Sequence, residues 1–299
     1  MLIYWSIYVR QSGVNSLFNS EDSWIVLSSA EQTIKSKVEK QGVPLKDWDI
    51  SINRGILTGL NDAFIITGAI KDELIASDSR SAELIRPILR GRDIKRYEYT
   101  FADLWLIATF PSRNYDINDY PAIKKHLLSF GMERLEQSGK TFTMNGERVK
   151  ARKKTNNKWF ETQDSIQYWD DFLKQKIVYR EISESMDACI VEAGVYVNNK
   201  CYLITGEHLI YLLSIFNSKL FTSVFLSQAN TTGGKGFSFL ERIKIPYPDT
   251  EVEKAFIDLY NLRNTMPADK AEIDKKVDNL VYEIYTLTSD EIECIERSS

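Results

Sequence analysis

The chain has 299 residues, enough for one large domain or two ordinary ones, and its 43% apolar and 27% charged residues are the balance of a globular protein with a core. A net charge of −4 excludes a uniformly basic coat for a polyanion, and two histidines, His126 and His208, leave little for histidine catalysis or a zinc site. Three cysteines, Cys189, Cys201 and Cys294, stand at no metal-ligand spacing, so a reduced cytoplasmic protein with buried thiols is expected.

The first ten residues, Met1 to Arg10, lack the basic start and small-residue cleavage site of a signal peptide, and they read as a strand entered part-way through a longer protein. Ser29 with Gln32 fits a capping box and Ile34 with Val38 is an apolar i,i+4 pair, predicting a helix over 30–40 stopped by Gly42 and Pro44. Short strands follow at Trp48–Ile52 and Ala63–Thr67 around a Gly55–Gly59 turn, and another at Leu104–Phe110 ends before Pro111. Asp119-Tyr120-Pro121 opens a helix expected to run to about Gln137. Residues 138–165 are polar, basic and rich in Asn and Thr, a long loop or a hairpin. Strands are expected at Lys176–Arg180, Ala188–Val197 and Cys201–Thr205, then an apolar core helix from Glu207 to about Gln228. That stretch is broken by Asn217, Ser218 and Lys219, and no apolar run reaches the roughly 20 residues of a membrane span, so no membrane partner is expected. Ala229–Gly236 reads as an exposed loop and Phe237–Ile245 as a strand closed by Pro246 and Pro248. The last fifty residues carry two 3.6-period stripes, Val252 to Leu262 and Ile273 to Ile284, which make a helical hairpin.

Charge is unevenly spread. From Arg86 to Lys158 there are sixteen Lys and Arg against eight Asp and Glu, whereas from Asp249 to Ser299 there are six against thirteen. The middle could face a polyanion while the acidic tail faces water or a protein.

No Asn-Pro-Pro-Tyr or Asp-Pro-Pro-Tyr motif is present to position a flipped adenine, and Gly233-Gly234-Lys235-Gly236 follows a helix instead of opening one, the wrong order for a nucleotide cradle. Pro248-Asp249 with Glu253-Lys254, and Asp274-Lys275-Lys276, approximate a nuclease triplet but read as surface charges on helices. Catalysis by this chain is therefore not expected, and it carries no cofactor signature. The strongest positive signal is a segment with six cations in eleven residues: Arg148, Lys150, Arg152, Lys153, Lys154 and Lys158. These would neutralise phosphates, while Asn156 and Asn157 suit adenine edges and Trp159, with Phe160, could anchor or stack. The alternative is a solvated basic loop without a ligand. Asn230, Thr231, Thr232 and Lys235 form a second candidate loop, and Arg54 and Arg92 lie on glycine turns where ordinary turn chemistry is the competing reading.

In order, these segments resemble a known family. The series runs Pro44-Leu-Lys-Asp-Trp48, Arg54-Gly55-Ile-Leu-Thr58-Gly59-Leu-Asn61, Arg86-Pro-Ile-Leu-Arg90-Gly91-Arg92-Asp93-Ile94, Trp169-Asp-Asp-Phe172, Lys176-Ile-Val-Tyr-Arg180-Glu181, Asn217-Ser218-Lys219 and Phe239-Leu240 to Pro246, with a tail through Ile284-Tyr285-Thr-Leu-Thr288. It is similar to the TaqI-like C-terminal specificity domain of adenine-N6 DNA methyltransferases, above all the type IIG enzymes that fuse endonuclease, methyltransferase and target recognition. The resemblance covers roughly residues 24–299. It implies an α+β fold with a β-rich target-recognition lobe (1–246) and a C-terminal antiparallel helical hairpin (247–299), binding double-stranded DNA in a sequence-specific manner. Partner methyltransferase and endonuclease domains, using S-adenosylmethionine and Mg2+, would lie upstream of Met1 in a longer polypeptide, the favoured arrangement, or form separate subunits. The other reading is a protein-interaction module whose acidic hairpin docks on catalytic subunits, with DNA contact secondary. The family supplies no fixed base-reading residues, so the chosen loops rest on their own chemistry.

Overall fold

A computed structural model describes residues 29–144, 146–181, 185–225 and 237–298. The expected strand at 1–10 and the loop residues Asn230, Thr231, Thr232 and Lys235 lie outside the described residues. The principal helices are α1 (Ser29–Gln41), α2 (Gly68–Ser77), α3 (Pro121–Leu128), α4 (Leu209–Phe216), α5 (Thr250–Thr265), α6 (Lys270–Ile284) and α7 (Ser289–Ser298). The principal strands are β1 (Ile50–Arg54), β2 (Ile65–Thr67), β3 (Ile85–Leu89), β4 (Leu104–Ile107), β5 (Thr141–Met144), β6 (Glu147–Lys150), β7 (Lys176–Arg180), β8 (Ala188–Val191), β9 (Tyr196–Val197) and β10 (Cys201–Gly206). The fold is α+β, as the sequence implies. Among the described residues no helix is long and apolar enough to cross a membrane.

The chain divides into two compact units, one of them Ser51–Glu181 with Asp187–Gly206, the other the rest of the described chain. The first is β-rich. One sheet has the order β8-β7-β10-β1 and the other β9-β3-β4-β2, in which β9 runs parallel to β3 and β4 is antiparallel to its neighbours. Strand β7 is buried on both faces, which is why Lys176-Ile-Val-Tyr reads as a continuous run and not as an alternation. Val178 pairs with both Cys189 and Leu203, and this row joins Ile66, Ile85, Ile88, Leu106 and Val197 in one core. Each such side chain contributes about 1.5–3 kcal/mol by leaving water.

In the other unit, Val43–Pro44 pairs with Lys244–Ile245, and α4 packs Tyr211 edge-on against Phe256 of α5 at 5.2 Å. Arg263 of α5 donates to Asp274 of α6 at 2.7 Å, so the expected hairpin is tied by a part-buried ion pair. Helix α7 extends it beyond the expected two helices. The division into 1–246 and 247–299 follows chain order. The compact units follow packing, and the hairpin shares its unit with α1 and α4.

Several expected elements are rearranged. Asn61–Phe64 is a helical turn ahead of β2, because the Thr58 hydroxyl accepts from Leu60 N at 3.2 Å and bends the chain so that Phe64 enters the core. The helix expected to reach Gln137 stops at α3, and Gly131, at φ +89°, begins a separate turn Met132–Leu135. The strand expected over Ala188–Val197 becomes β8 and β9, in different sheets, parted at Gly194 with φ +84°. Phe237–Leu240 is helical and only Lys244–Ile245 is strand; the buried Phe239, Leu240 and Ile243 have helical spacing. Helix α2 was not expected. A Cβ on its Gly68 would stand 2.1 Å from Asp103 Oδ2, so any larger residue there would displace that carboxylate.

Candidate nucleic-acid interface

The 138–165 stretch opens with an antiparallel hairpin, β5 and β6, in the register Thr141↔Lys150, Phe142↔Val149, Thr143↔Arg148 and Met144↔Glu147. Its ladder continues at the root, where Ala151 N donates to Lys140 O at 2.8 Å and Gly139 N to Arg152 O at 2.8 Å. Arg148, Lys150, Lys153, Lys154, Asn156 and Lys158 are exposed.

Arg152 is not among them. Its side chain turns inward and donates to Leu135 O (Nε, 2.8 Å), Thr58 O (Nη1, 2.9 Å), Glu161 O (Nη1, 2.7 Å) and Trp159 O (Nη2, 2.6 Å), with the guanidinium 5.0 Å from the Phe64 ring centroid. Burial lowers its pKa to about 10, opposed by the nearby Glu161 charge. Arg152 is thus a clamp joining the 58–61 turn, the Met132–Leu135 turn and the 159–161 bend, with four of its five N–H donors committed to carbonyls and the side chain buried away from a phosphate. Gln137, also buried, donates to Glu161 O at 3.1 Å and accepts from Thr155 Oγ1 at 2.7 Å, fastening the same loop.

Asn157 is likewise committed. Its amide donates to Thr162 O at 3.2 Å and Gln163 O at 2.9 Å, so it cannot present a free donor–acceptor pair to adenine. Trp159 packs on the core, edge-on to Phe160 at 5.5 Å, and anchors the loop. Lys158 Nζ is 3.9 Å from Glu161 Oε1. Among the described residues, Arg148, Lys150, Lys153 and Lys154 carry no ion pair, although the charge of Lys153 is felt by Asp164.

The two glycine-turn arginines are placed elsewhere. Arg54 donates to Glu181 Oε1 at 2.9 Å and Asn199 O at 3.1 Å, and a Cβ on Gly55 would meet Asn198 O at 2.1 Å, so this signature is a close-packed turn. Arg92 is exposed on the 91–93 turn, where its neighbour Arg90 grips Asp93 through Nε (3.0 Å) and Nη2 (2.8 Å). Burial pushes the Asp93 carboxyl up, but the hydrogen bonds and charge of Arg90 outweigh it and hold the group below the usual range. No described contact joins Arg92 to the 148–160 segment.

The nuclease-like triplets are structural. Asp249 caps α5 by accepting from Val252 N at 2.8 Å, Glu253 accepts from His208 at 2.8 Å, and Asp274 holds Arg263. Among the described residues no group of three or more His, Cys, Asp or Glu is placed to hold a metal ion. Sequence reasoning missed Thr141 and Thr143, which the hairpin register puts beside Lys150 and Arg148. The period-two pattern of Thr141-Phe142-Thr143 was the available signal.

The family described as "TaqI-like C-terminal specificity domain" matches residues 86–246, more than half of the chain and including the whole basic hairpin. The chain belongs to this family. The match is narrower than the 24–299 span of the resemblance read from the sequence. No curated protein sequence matches. Among solved structures, the chain is similar to the type IIL restriction-modification enzyme MmeI in complex with DNA, at TM-score 0.51 and 14% identity over 84% of this chain and 35% of that one. The type IIG restriction endonuclease BpuSI matches at TM-score 0.46 and 15% identity, over 87% of this chain and 34% of that one. The TaqI-like chain therefore spans about a third of the length of these neighbours, and the likeness to MmeI is one of fold.

Proposed function

We propose that this TaqI-like specificity domain reads a short sequence of double-stranded DNA as the recognition part of a type IIG restriction endonuclease and adenine-N6 methyltransferase. The observation that carries the reading is the exposed set Arg148, Lys150, Lys153 and Lys154, free of described ion pairs and held on a segment clamped by Arg152. Unpaired cations exchange condensed counterions for protein contact, which supplies affinity, and a fixed segment supplies register. Methyl transfer and cleavage would belong to other, cytoplasmic domains using S-adenosylmethionine and Mg2+, with the target adenine flipped out of the duplex by the methyltransferase part. Selection from a pool of random-sequence duplexes by the chain tests this. Enrichment of one short motif is expected, and recovery of an unchanged pool would overturn the reading.

A second reading, docking of the acidic hairpin on a catalytic subunit, is favoured by one observation. An open cavity of about 390 Å³ between α5 and α6 has an apolar floor of Val252, Ala255, Leu280 and Ile284 edged by Glu251 and Glu283. Co-purification with the methyltransferase part that is lost in Leu280→Glu, with duplex selection unchanged, would establish that role beside the first.

A further inference from the structure

Thr141, Thr143, Arg148 and Lys150 share one face of the hairpin. Directly opposed residues of an antiparallel pair lie on the same side, and the register opposes Thr141 to Lys150 and Thr143 to Arg148, two positions apart on each strand. All four are exposed, whereas the alternate pair Phe142 and Val149 is half-buried on the other face. The hairpin therefore has a less exposed apolar side and a polar side that faces solvent. Near the tip Gly146, at φ +83°, has no atom within 4 Å of where a Cβ would stand, so that position faces open space. The root, by contrast, is fixed by the Ala151–Lys140 and Gly139–Arg152 hydrogen bonds and by the buried Arg152 guanidinium.

We infer that this ribbon enters the major groove with its Thr141, Thr143, Arg148 and Lys150 face toward the bases, and that Thr143 and Arg148 determine specificity. The inference rests on the DNA-reading role proposed above. Four residues per strand rise about 13 Å, and two paired strands with side chains suit a groove about 12 Å wide and about 8.5 Å deep. The minor groove, about 6 Å wide, is too narrow for the ribbon. The chemistry of the face fits the major-groove code. The Arg148 fork matches guanine O6 and N7, and its neighbour Thr143 offers a methyl to thymine and a hydroxyl to either donor or acceptor. Lys153 and Lys154 follow the root in sequence and would meet the flanking phosphates, which position without specifying.

The test uses the whole chain and random-sequence duplex pools, one ordinary and one with 7-deazaguanine, which alters only the major-groove edge. Arg148→Ala, Arg148→Lys and Thr143→Ala are selected in parallel, with thermal unfolding as a folding control, since these side chains are exposed. The expected result is that Arg148→Ala loses preference at one guanine, with about ten- to hundredfold weaker binding to the wild-type motif, that Arg148→Lys does not restore it, and that Thr143→Ala shifts preference at a neighbouring base pair. The wild type should lose the same guanine preference in the 7-deazaguanine pool. A motif enriched identically by wild type and variants would overturn the ribbon while leaving DNA recognition intact. A wild type that enriches nothing overturns both.

Discussion

The basic hairpin segment and the acidic helical hairpin hold charges of both signs, yet they use them differently. In the acidic region four of the six cations are spent locally: Arg263 on Asp274, Lys254 on Asp258, Lys276 on Glu272, and Arg297 on Glu293. In the basic region Arg148, Lys150, Lys153 and Lys154 carry no described ion pair, and the buried Arg152 gives four of its N–H donors to backbone carbonyls. The lesson is that local pairing, and not net charge, separates a surface that stabilises the fold from one available to a polyanion. The overall charge of −4 conceals this difference.

The contrast breaks most visibly at Arg152. Arg152→Met should lower unfolding stability by about 3–5 kcal/mol in urea titrations, because four buried carbonyls lose a charged donor. Lys153→Ala, one residue on, should stay within about 0.5 kcal/mol. Equal stability of the two variants would end the distinction between clamp and contact.

A second buried cation sharpens the point. Lys176 donates to Phe172 O (3.0 Å), Lys174 O (2.8 Å) and Glu192 O (2.8 Å), and burial lowers its pKa from the ordinary 10.5 to about 8. Between those values the folded chain holds fewer protons than the unfolded chain, so its contribution to stability grows as pH rises and is lost as pH falls through about 8. Relative to Lys176→Met, wild-type stability should therefore rise by on the order of 1 kcal/mol between about pH 8 and about pH 9.5 in chemical denaturation. Parallel pH profiles would contradict the assignment.

Tyr179 gives a smaller effect. Its hydroxyl is buried with no hydrogen-bond partner among the described residues, so Tyr179→Phe should raise stability by about 1 kcal/mol, and a loss would point to a further partner. The smallest effect belongs to the acidic side. Lys254→Ala with Lys276→Ala should leave duplex affinity and its salt dependence unchanged, since both are surface i,i+4 pairs.

Much of this was legible in the sequence. A capping-box pattern with an apolar i,i+4 pair marked α1, period alone marked α5 and α6, and Lys176–Arg180 read as a strand. Exposure of Arg148, Lys150, Lys153 and Lys154 followed from composition. The fate of Arg152 did not, because its partners come from residues 58, 135, 159 and 161, and nothing local separates it from Lys153. Asn157 is similar: it has the chemistry of a base reader, but the loop fold turns its amide onto carbonyls at 162 and 163. The glycine turn at Gly55 was visible, but the close approach that demands it depends on distant Asn198. Short apolar runs such as Phe237–Ile245 failed because a few residues cannot distinguish helical from extended spacing unless the buried set is known.

The central claim is that the unpaired cations of the basic segment meet DNA phosphates. The direct measurement is the slope of log affinity against log salt for random-sequence duplex, comparing wild type with Lys153→Ala/Lys154→Ala. A slope shallower by about 2 in the double variant, with unchanged thermal stability, is the predicted result. Identical slopes would contradict it.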